Sequence, residues 1–269
     1  MSAKGPESNP LVSVVIPTYN SEFFLAATIN SACRQTYANL EILVIDDCST
    51  DGTAGLVEKL STEDPRIKYF RTNSQSNLPS VPRNIGISHS MGECIAFLDH
   101  DDLWRKRKIE LQMTEFMIDK DLTMLFSPLW QFSGRNYLWG FILLRPPVGV
   151  ISKRKLMENN PLQCSSVLIR RHALVSQGGF NEAPELRAVE DYDLWIRIQR
   201  VFKVKELYKI LGFYRHVRSS TSQNENMNKR LEFLKIIHPE LLIPETQSML
   251  QRISFRLKKI PVIIFKIRF

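Results

Sequence analysis

Cysteine is scarce in this sequence and carries no pattern. The four cysteines, at 33, 48, 94 and 164, show no C-x-x-C spacing, and the chain opens without a signal-like segment. Neither a disulfide framework nor a zinc site is expected, and the implied setting is the reducing cytoplasm. Long apolar runs are lacking too. The longest uncharged piece of the C-terminal tail, IPVIIF at 260–265, is far short of the ~20 residues a spanning helix needs, and Pro261 would interrupt it. No glycine-rich loop stands near the N-terminus, since PTYNSEFF at 17–24 has no glycine; this argues against a nucleotidyltransferase that would cradle phosphate in such a loop. Aromatic and basic residues do not alternate as a nucleic-acid platform would require, so no nucleic-acid partner is expected.

What the chain does have is size, apolar content and positive charge. Its 269 residues are 43% hydrophobic, ample for a packed core in one large domain or two small ones. Lys and Arg number 36 against 28 Asp and Glu, a net charge of +8, which favours anionic partners such as nucleotides or acidic lipids. The tail RISFRLKKIPVIIFKIRF, 252–269, holds six basic and no acidic residues among apolar ones. That pattern suits peripheral docking on an anionic membrane at the inner face of the cell envelope. It suits equally a terminal helix and strand packed on the domain with a solvated basic face.

Along the first half, strand and helix patterns alternate. VSVVI, 12–16, is a short β-branched run ended by Pro17, and apolar residues at helical spacing follow over 22–35. LEILVI, 40–45, stops at DDCSTDGT, where Ser49, Thr50 or Asp51 is placed to cap a helix running through Leu60. IKYFR, 67–71, reads as a third strand, 83–90 as a short helix, and ECIAFL as a fourth strand ahead of an Asp-rich run. Strands separated by single helices imply an α/β protein with a Rossmann-like, mainly parallel central sheet and helices on both faces. Ligands of such sheets bind beyond the carboxyl ends of the strands.

Three of those carboxyl ends are polar: PTYN, DDCSTD and DHDD. In an extended chain Asp99 and Asp101 point to the same side, and two ionised carboxylates so close are relieved most simply by a divalent cation, Mn or Mg, completed by water and phosphate. A helix beginning near Trp104 offers an alternative in which Asp102 is its cap. Pro17, Thr18 and Tyr19 offer a ring and polar groups of the sort a base-binding wall needs. Asp46 and Asp47, being adjacent in a strand, face opposite ways, so that one packs inward while the other reaches the ligand edge. Arg83 and Asn84 open the helix behind the polar loop, setting a cation and free backbone donors near a phosphate site.

VSVVIPTYN, SACRQTY, LEILVIDDCSTDGT, PRNIGI, GECIAFLDHDDLW and EDYDLW, taken in order over about residues 10 to 215, resemble the family 2 glycosyltransferases of the GT-A fold. The resemblance implies a nucleotide-sugar donor, most often a UDP-sugar, at the carboxyl edge of the sheet. Pro17, Thr18, Tyr19 and Asp47 would contact the base, Arg83 the diphosphate, and Asp99 the ribose or a metal-bound water. Asp101 would ligate the metal directly, Asp99 beside it. The metal and Arg83 would stabilise charge on the departing diphosphate.

In the second half, EDYDLW crowds Glu190, Asp191 and Asp193 into what reads as the first turn of a helix. The resemblance makes Asp191 the catalytic base that takes the proton of the acceptor hydroxyl, with inversion at the sugar. CSSVLIRR, 164–171, reads as a strand from the acceptor side, and QGGFNE as a turn toward the base. Residues 130–150 are aromatic enough for an acceptor wall or lid. GFYRHVRSSTS departs from the usual Y-R-x-H, because His216 follows Arg215 directly and Val217 takes the histidine's place. The expected organisation is a flexible N-terminus over 1–9, a nucleotide-sugar-binding half over 10–103, an acceptor-binding half over 104–222, and a helical and basic apolar tail over 223–269. With no Q-x-x-R-W and no multi-helix membrane region, the expected activity is transfer of one sugar to a saccharide or lipid-linked acceptor in bacterial surface polysaccharide or lipopolysaccharide synthesis.

Overall fold

The computed structural model of the protein describes residues 9–133, 142–148, 162–216, 227–238 and 263–265. Chain order begins β1 (Val12–Thr18), α1 (Leu25–Cys33), β2 (Leu40–Asp46), α2 (Thr53–Glu63), β3 (Ile67–Arg71), α3 (Ser80–His89) and β4 (Cys94–Phe97). It continues with β5 (Leu103–Trp104), α4 (Lys108–Ile118), β6 (Leu122–Phe126), β7 (Leu129–Ser133), β8 (Ile142–Val148), β9 (Leu168–Arg170) and α5 (Arg171–Ser176). α6 (Glu190–Val201), β10 (Lys203–Glu206), β11 (Gly212–His216), α7 (Met227–Ile237) and β12 (Ile263–Phe265) complete it. The central sheet has seven strands in the order β10-β6-β9-β4-β1-β2-β3, and β9 alone runs antiparallel to its neighbours. A second sheet has the order β12-β8-β7-β11-β5.

Strand alternation sorts the apolar residues into two cores, one on each face of the sheet. Val12, Val14 and Ile16 of β1 join Leu25 and Ile29 of α1, Val57 of α2, and Ile109 and Met113 of α4. Val15 points the other way, to Ile87 of α3, Leu174 of α5, and Leu194, Trp195 and Ile198 of α6. α3 lies so close to β1 that a Cβ at Gly86 would fall 2.3 Å from Val15 Cγ1, and this contact fixes where the preceding turn presents Arg83.

Several local expectations are revised. β1 runs through Pro17 to Thr18, because β4 pairs only with Val12–Val15, leaving the proline without a ladder partner on that side. α3 starts at Ser80, three residues early. Pro82 is tolerated in the first turn, whose N–H groups are unsatisfied anyway, and Arg83 N–H already donates to Pro79 O. The chain leaves the extended form after Phe97 and turns, with Asp102 N–H donating to Asp99 O. Trp104 lies in β5 and α4 begins only at Lys108, so Asp102 caps no helix there. Ser165 and Ser166 form a 3-10 turn, and the strand behind them, β9, joins the central sheet. Of the N-terminus only Asn9, of 130–150 only 130–133 and 142–148, and of 252–269 only Ile263–Phe265 fall within the described residues; that last strand pairs antiparallel with β8.

Candidate active site

The carboxyl ends of β1, β2 and β4 meet at one edge, as the parallel register requires: Thr18 stands opposite Asp46, and Val15 opposite both Leu43 and Phe97. Pro17 and Thr18 are buried there, while Tyr19 is exposed just past the strand. Asp46 turns inward and accepts from Ser49 N–H, Ser49 Oγ and Tyr69 Oη. Asp47 turns the other way and accepts from Ser76 N–H and Ser76 Oγ, tying the 72–78 loop to the edge. Among the described residues four non-glycines have positive φ: Asn20, Cys48, Asn77 and Ala188. The first three sit in the loops around this edge and the last just before α6, so the strained backbone gathers where a ligand would bind.

The DHDD turn contains three aspartates in three different environments. Asp99 has a quarter of its side chain exposed and accepts from Arg83 Nη2 at 2.8 Å. Asp101 is half-buried, and its carboxylate accepts no hydrogen bond from another described residue; burial, with Asp99 nearby, raises its pKa above the ordinary carboxylate range. Asp102 is fully buried and accepts from Ser165 Oγ at 2.6 Å and from Arg215 N–H at 2.8 Å. Burial foremost, then Asp101 and Asp99, push its carboxyl well above the ordinary range. Asp102 is thus a structural member of the turn, while Asp99 and Asp101 keep part of their side chains exposed at the edge. Arg215 holds the turn from β11. Its Nε donates to Asp101 O, and its guanidinium lies between the rings of Phe24 and Phe132, 4.4 and 4.5 Å from their centroids. Burial lowers its pKa to about 10.

Asp191 is half-buried in the first turn of α6, and Tyr192 N–H donates to its Oδ1. Burial and then the Glu190 carboxylate lift its pKa to about 7, opposed by Arg83. Arg83 is the link between the two ends of the site. Only 6% exposed, it donates from Nη1 to Glu190 Oε1 at 2.6 Å and from Nη2 to Asp99 at 2.8 Å. Both terminal nitrogens are therefore engaged by carboxylates. Breaking such a buried pair costs about 3–5 kcal/mol, because a charge is left without its partner.

The family model described as glycosyl transferase family 2 matches residues 13–178. The chain belongs to glycosyltransferase family 2. It is 30% identical over 219 residues to the putative teichuronic acid biosynthesis glycosyltransferase TuaG of Bacillus subtilis, covering 80% of this chain and 83% of TuaG. To the Escherichia coli enzyme WfgD, named a UDP-Glc:α-D-GlcNAc-diphosphoundecaprenol β-1,3-glucosyltransferase, it is 32% identical over 217 residues, 80% of this chain and 81% of that one. The structure of Staphylococcus aureus TarS 1–349 in complex with UDP superposes with a TM-score of 0.62 at 25% identity, over 77% of this chain and 60% of that one. The protein is a glycosyltransferase, and its α/β architecture with a mostly parallel sheet is the GT-A fold.

Ser165, Arg215, Asp102 and Glu190 carry the site's framework and were not singled out as such from sequence. Ser165 lies in a stretch that reads as strand, and Glu190 finds its partner 107 positions away, a pairing no spacing rule encodes. Arg215 was noted only as the neighbour of His216, whose ring packs on Tyr214 at 5.6 Å.

Proposed function

We propose that this glycosyltransferase moves one sugar from a nucleotide-sugar, a UDP-sugar first among them, to a hydroxyl of a saccharide or lipid-linked acceptor, with inversion, in the building of bacterial surface polysaccharide or lipopolysaccharide. The observation that carries the reading is the ion-pair chain Asp99–Arg83–Glu190, which sets a donor-edge carboxylate and the residue beside Asp191 on one buried cation. WfgD uses UDP-glucose on a lipid-diphosphate-linked sugar and TarS binds UDP, as their names state, and both support that choice of donor and acceptor. In this reading residues 10–103 hold the donor and 104–222 the acceptor. Pro17, Thr18, Tyr19 and Asp47 face the base.

Asp191 takes the proton of the acceptor hydroxyl. The freed oxygen attacks the anomeric carbon from the face opposite the diphosphate, and the carbon–oxygen bond to the diphosphate breaks with its electron pair staying on phosphate. Asp101, whose carboxylate accepts no hydrogen bond from another described residue, and Asp99, held by Arg83 through one oxygen, fit a divalent cation. Among the described residues no three His, Cys, Asp or Glu side chains converge on such a site, so diphosphate and water oxygens would complete its shell. Bound there, Mn or Mg would neutralise charge gathering on the leaving diphosphate. Arg83 fixes the orientation of Asp99 and adds its own positive field.

A thermal-shift panel tests this reading: UDP, TDP, GDP, ADP and CMP, each with Mn, Mg or EDTA. A nucleotide at a hundred times its Kd stabilises the folded chain by about 2.7 kcal/mol, a shift of several degrees. The expected result is a shift with UDP and metal that disappears in EDTA and in Asp101→Ala. A flat panel for the wild-type chain would remove the donor site.

A further inference from the structure

Asn84 follows Arg83 on α3 and spends its whole side-chain amide on one target. Its Oδ1 accepts from Phe180 N–H at 2.8 Å, and its Nδ2 donates to Phe180 O at 2.8 Å and to Glu182 Oε1 at 2.7 Å. The amide thereby pairs with a backbone N–H and C=O together, as a neighbouring strand would. The turn is shaped around it. Gly179 sits at φ +71, and a Cβ there would lie 2.6 Å from Asn84 Oδ1.

From its other side the same turn is gripped by α6. Arg197 donates to Gln177 O and Gly179 O and pairs with Asp193 at 2.6 Å. The Phe180 ring meets Trp195 of α6 at 6.0 Å and Phe97 of β4 at 5.2 Å. A displacement of the 177–182 turn is therefore passed to α6, whose first residues are Glu190 and Asp191. α3 reaches α6 twice, directly through Arg83 and Glu190, and through this turn by way of Asn84.

We infer that Asn84 is a positioning residue for sugar transfer: by clasping the 177–182 turn to α3 it sets where α6 presents Asp191 relative to the donor edge. This rests on Asp191 being the base, as proposed above. Asn84 touches neither the DHDD turn nor Asp47, so it acts on the geometry of transfer and leaves donor binding alone. Misplacing a reacting group by about 1 Å costs up to ~10²-fold in rate.

The test compares Asn84→Ala with wild type in three measurements. These are kcat and KM for UDP-glucose with a GlcNAc-diphosphate-lipid acceptor, affinity for UDP with Mn, and amide hydrogen exchange along the chain. Expected are a kcat lower by about 10- to 100-fold, KM and UDP affinity within about two-fold, and faster exchange confined to 177–193. Unchanged kcat, a parallel loss of UDP affinity, or faster exchange spread through β1 and β2 would overturn it. Asn84→Asp keeps the volume and the acceptor oxygen, loses both donors, and serves if the alanine variant does not fold. Wild-type protein that neither binds a nucleotide nor transfers a sugar would count against the proposed function instead, and the exchange comparison would still decide whether Asn84 holds the turn.

Discussion

A carboxyl lifted to about 7 has to lose its proton before it can accept one, and that gives Asp191 two signatures. Transfer should be slow below pH 6 and climb through about pH 7 as the base ionises. Stability should move the opposite way. Between its ordinary value of 3.8 and about 7 the folded chain keeps a proton that the unfolded chain has released. The group's contribution is therefore full at low pH and is lost as pH rises through about 7. Asp191→Asn, which never ionises, should match wild type in Tm only below about pH 3.8, pull ahead as pH rises from there, and exceed it most at pH 8, while losing transfer and keeping nucleotide binding. Equal Tm values at pH 8 would show that the carboxyl is not held up. The sequence points to Asp191 as the base only through the ordered motifs. Three acids in a helix's first turn are also favourable dipole chemistry; of these, Glu190 pairs with Arg83 and Asp193 with Arg197.

The DHDD turn shows what spacing can and cannot say about an element. D-x-D-D gives three equivalent carboxylates, and the structure makes them inequivalent by folding the 3-10 turn Cys164–Ser166 and β11 against one of them. Asparagine is nearly isosteric with the Asp102 carboxyl, which burial disfavours in its charged form. Asp102→Asn should keep an acceptor for Arg215 N–H and a partner for Ser165 Oγ, with UDP–Mn affinity within about three-fold of wild type. Asp102→Ala strands two buried donors, a loss of about 2 kcal/mol or more and a Tm lower by at least about 4 °C, measured by calorimetry. Loss of metal-dependent binding in Asp102→Asn would make Asp102 a ligand. The strands of the first half were legible because β-branched runs bounded by polar loops encode them locally, with β3 matching IKYFR residue for residue. β9 was legible as a strand but its place was not. Insertion between β4 and β6 depends on partners 43 to 76 positions away, and a three-residue strand carries no sign of which edge it will join.

For the molecule as a whole, the +8 charge and the basic tail bear on where the enzyme works. No helix among the described residues is long and apolar enough to cross a membrane. α7 continues toward the tail with Lys235, Ile236 and Ile237 exposed, a cation beside apolar side chains, which is the composition that settles at an anionic headgroup layer. Each Lys or Arg near such a surface contributes about 1 kcal/mol. Removing the whole tail would also strip β12 from β8, so charge substitution is the cleaner perturbation. Arg256→Gln, Lys258→Gln and Lys259→Gln together should weaken co-sedimentation with phosphatidylserine-containing vesicles by about 10²-fold. Binding to pure phosphatidylcholine should be weak for both proteins, and 0.5 M salt should erase the difference. If wild type and variant bind anionic vesicles equally, the basic face is solvated surface and the acceptor reaches the site by another route.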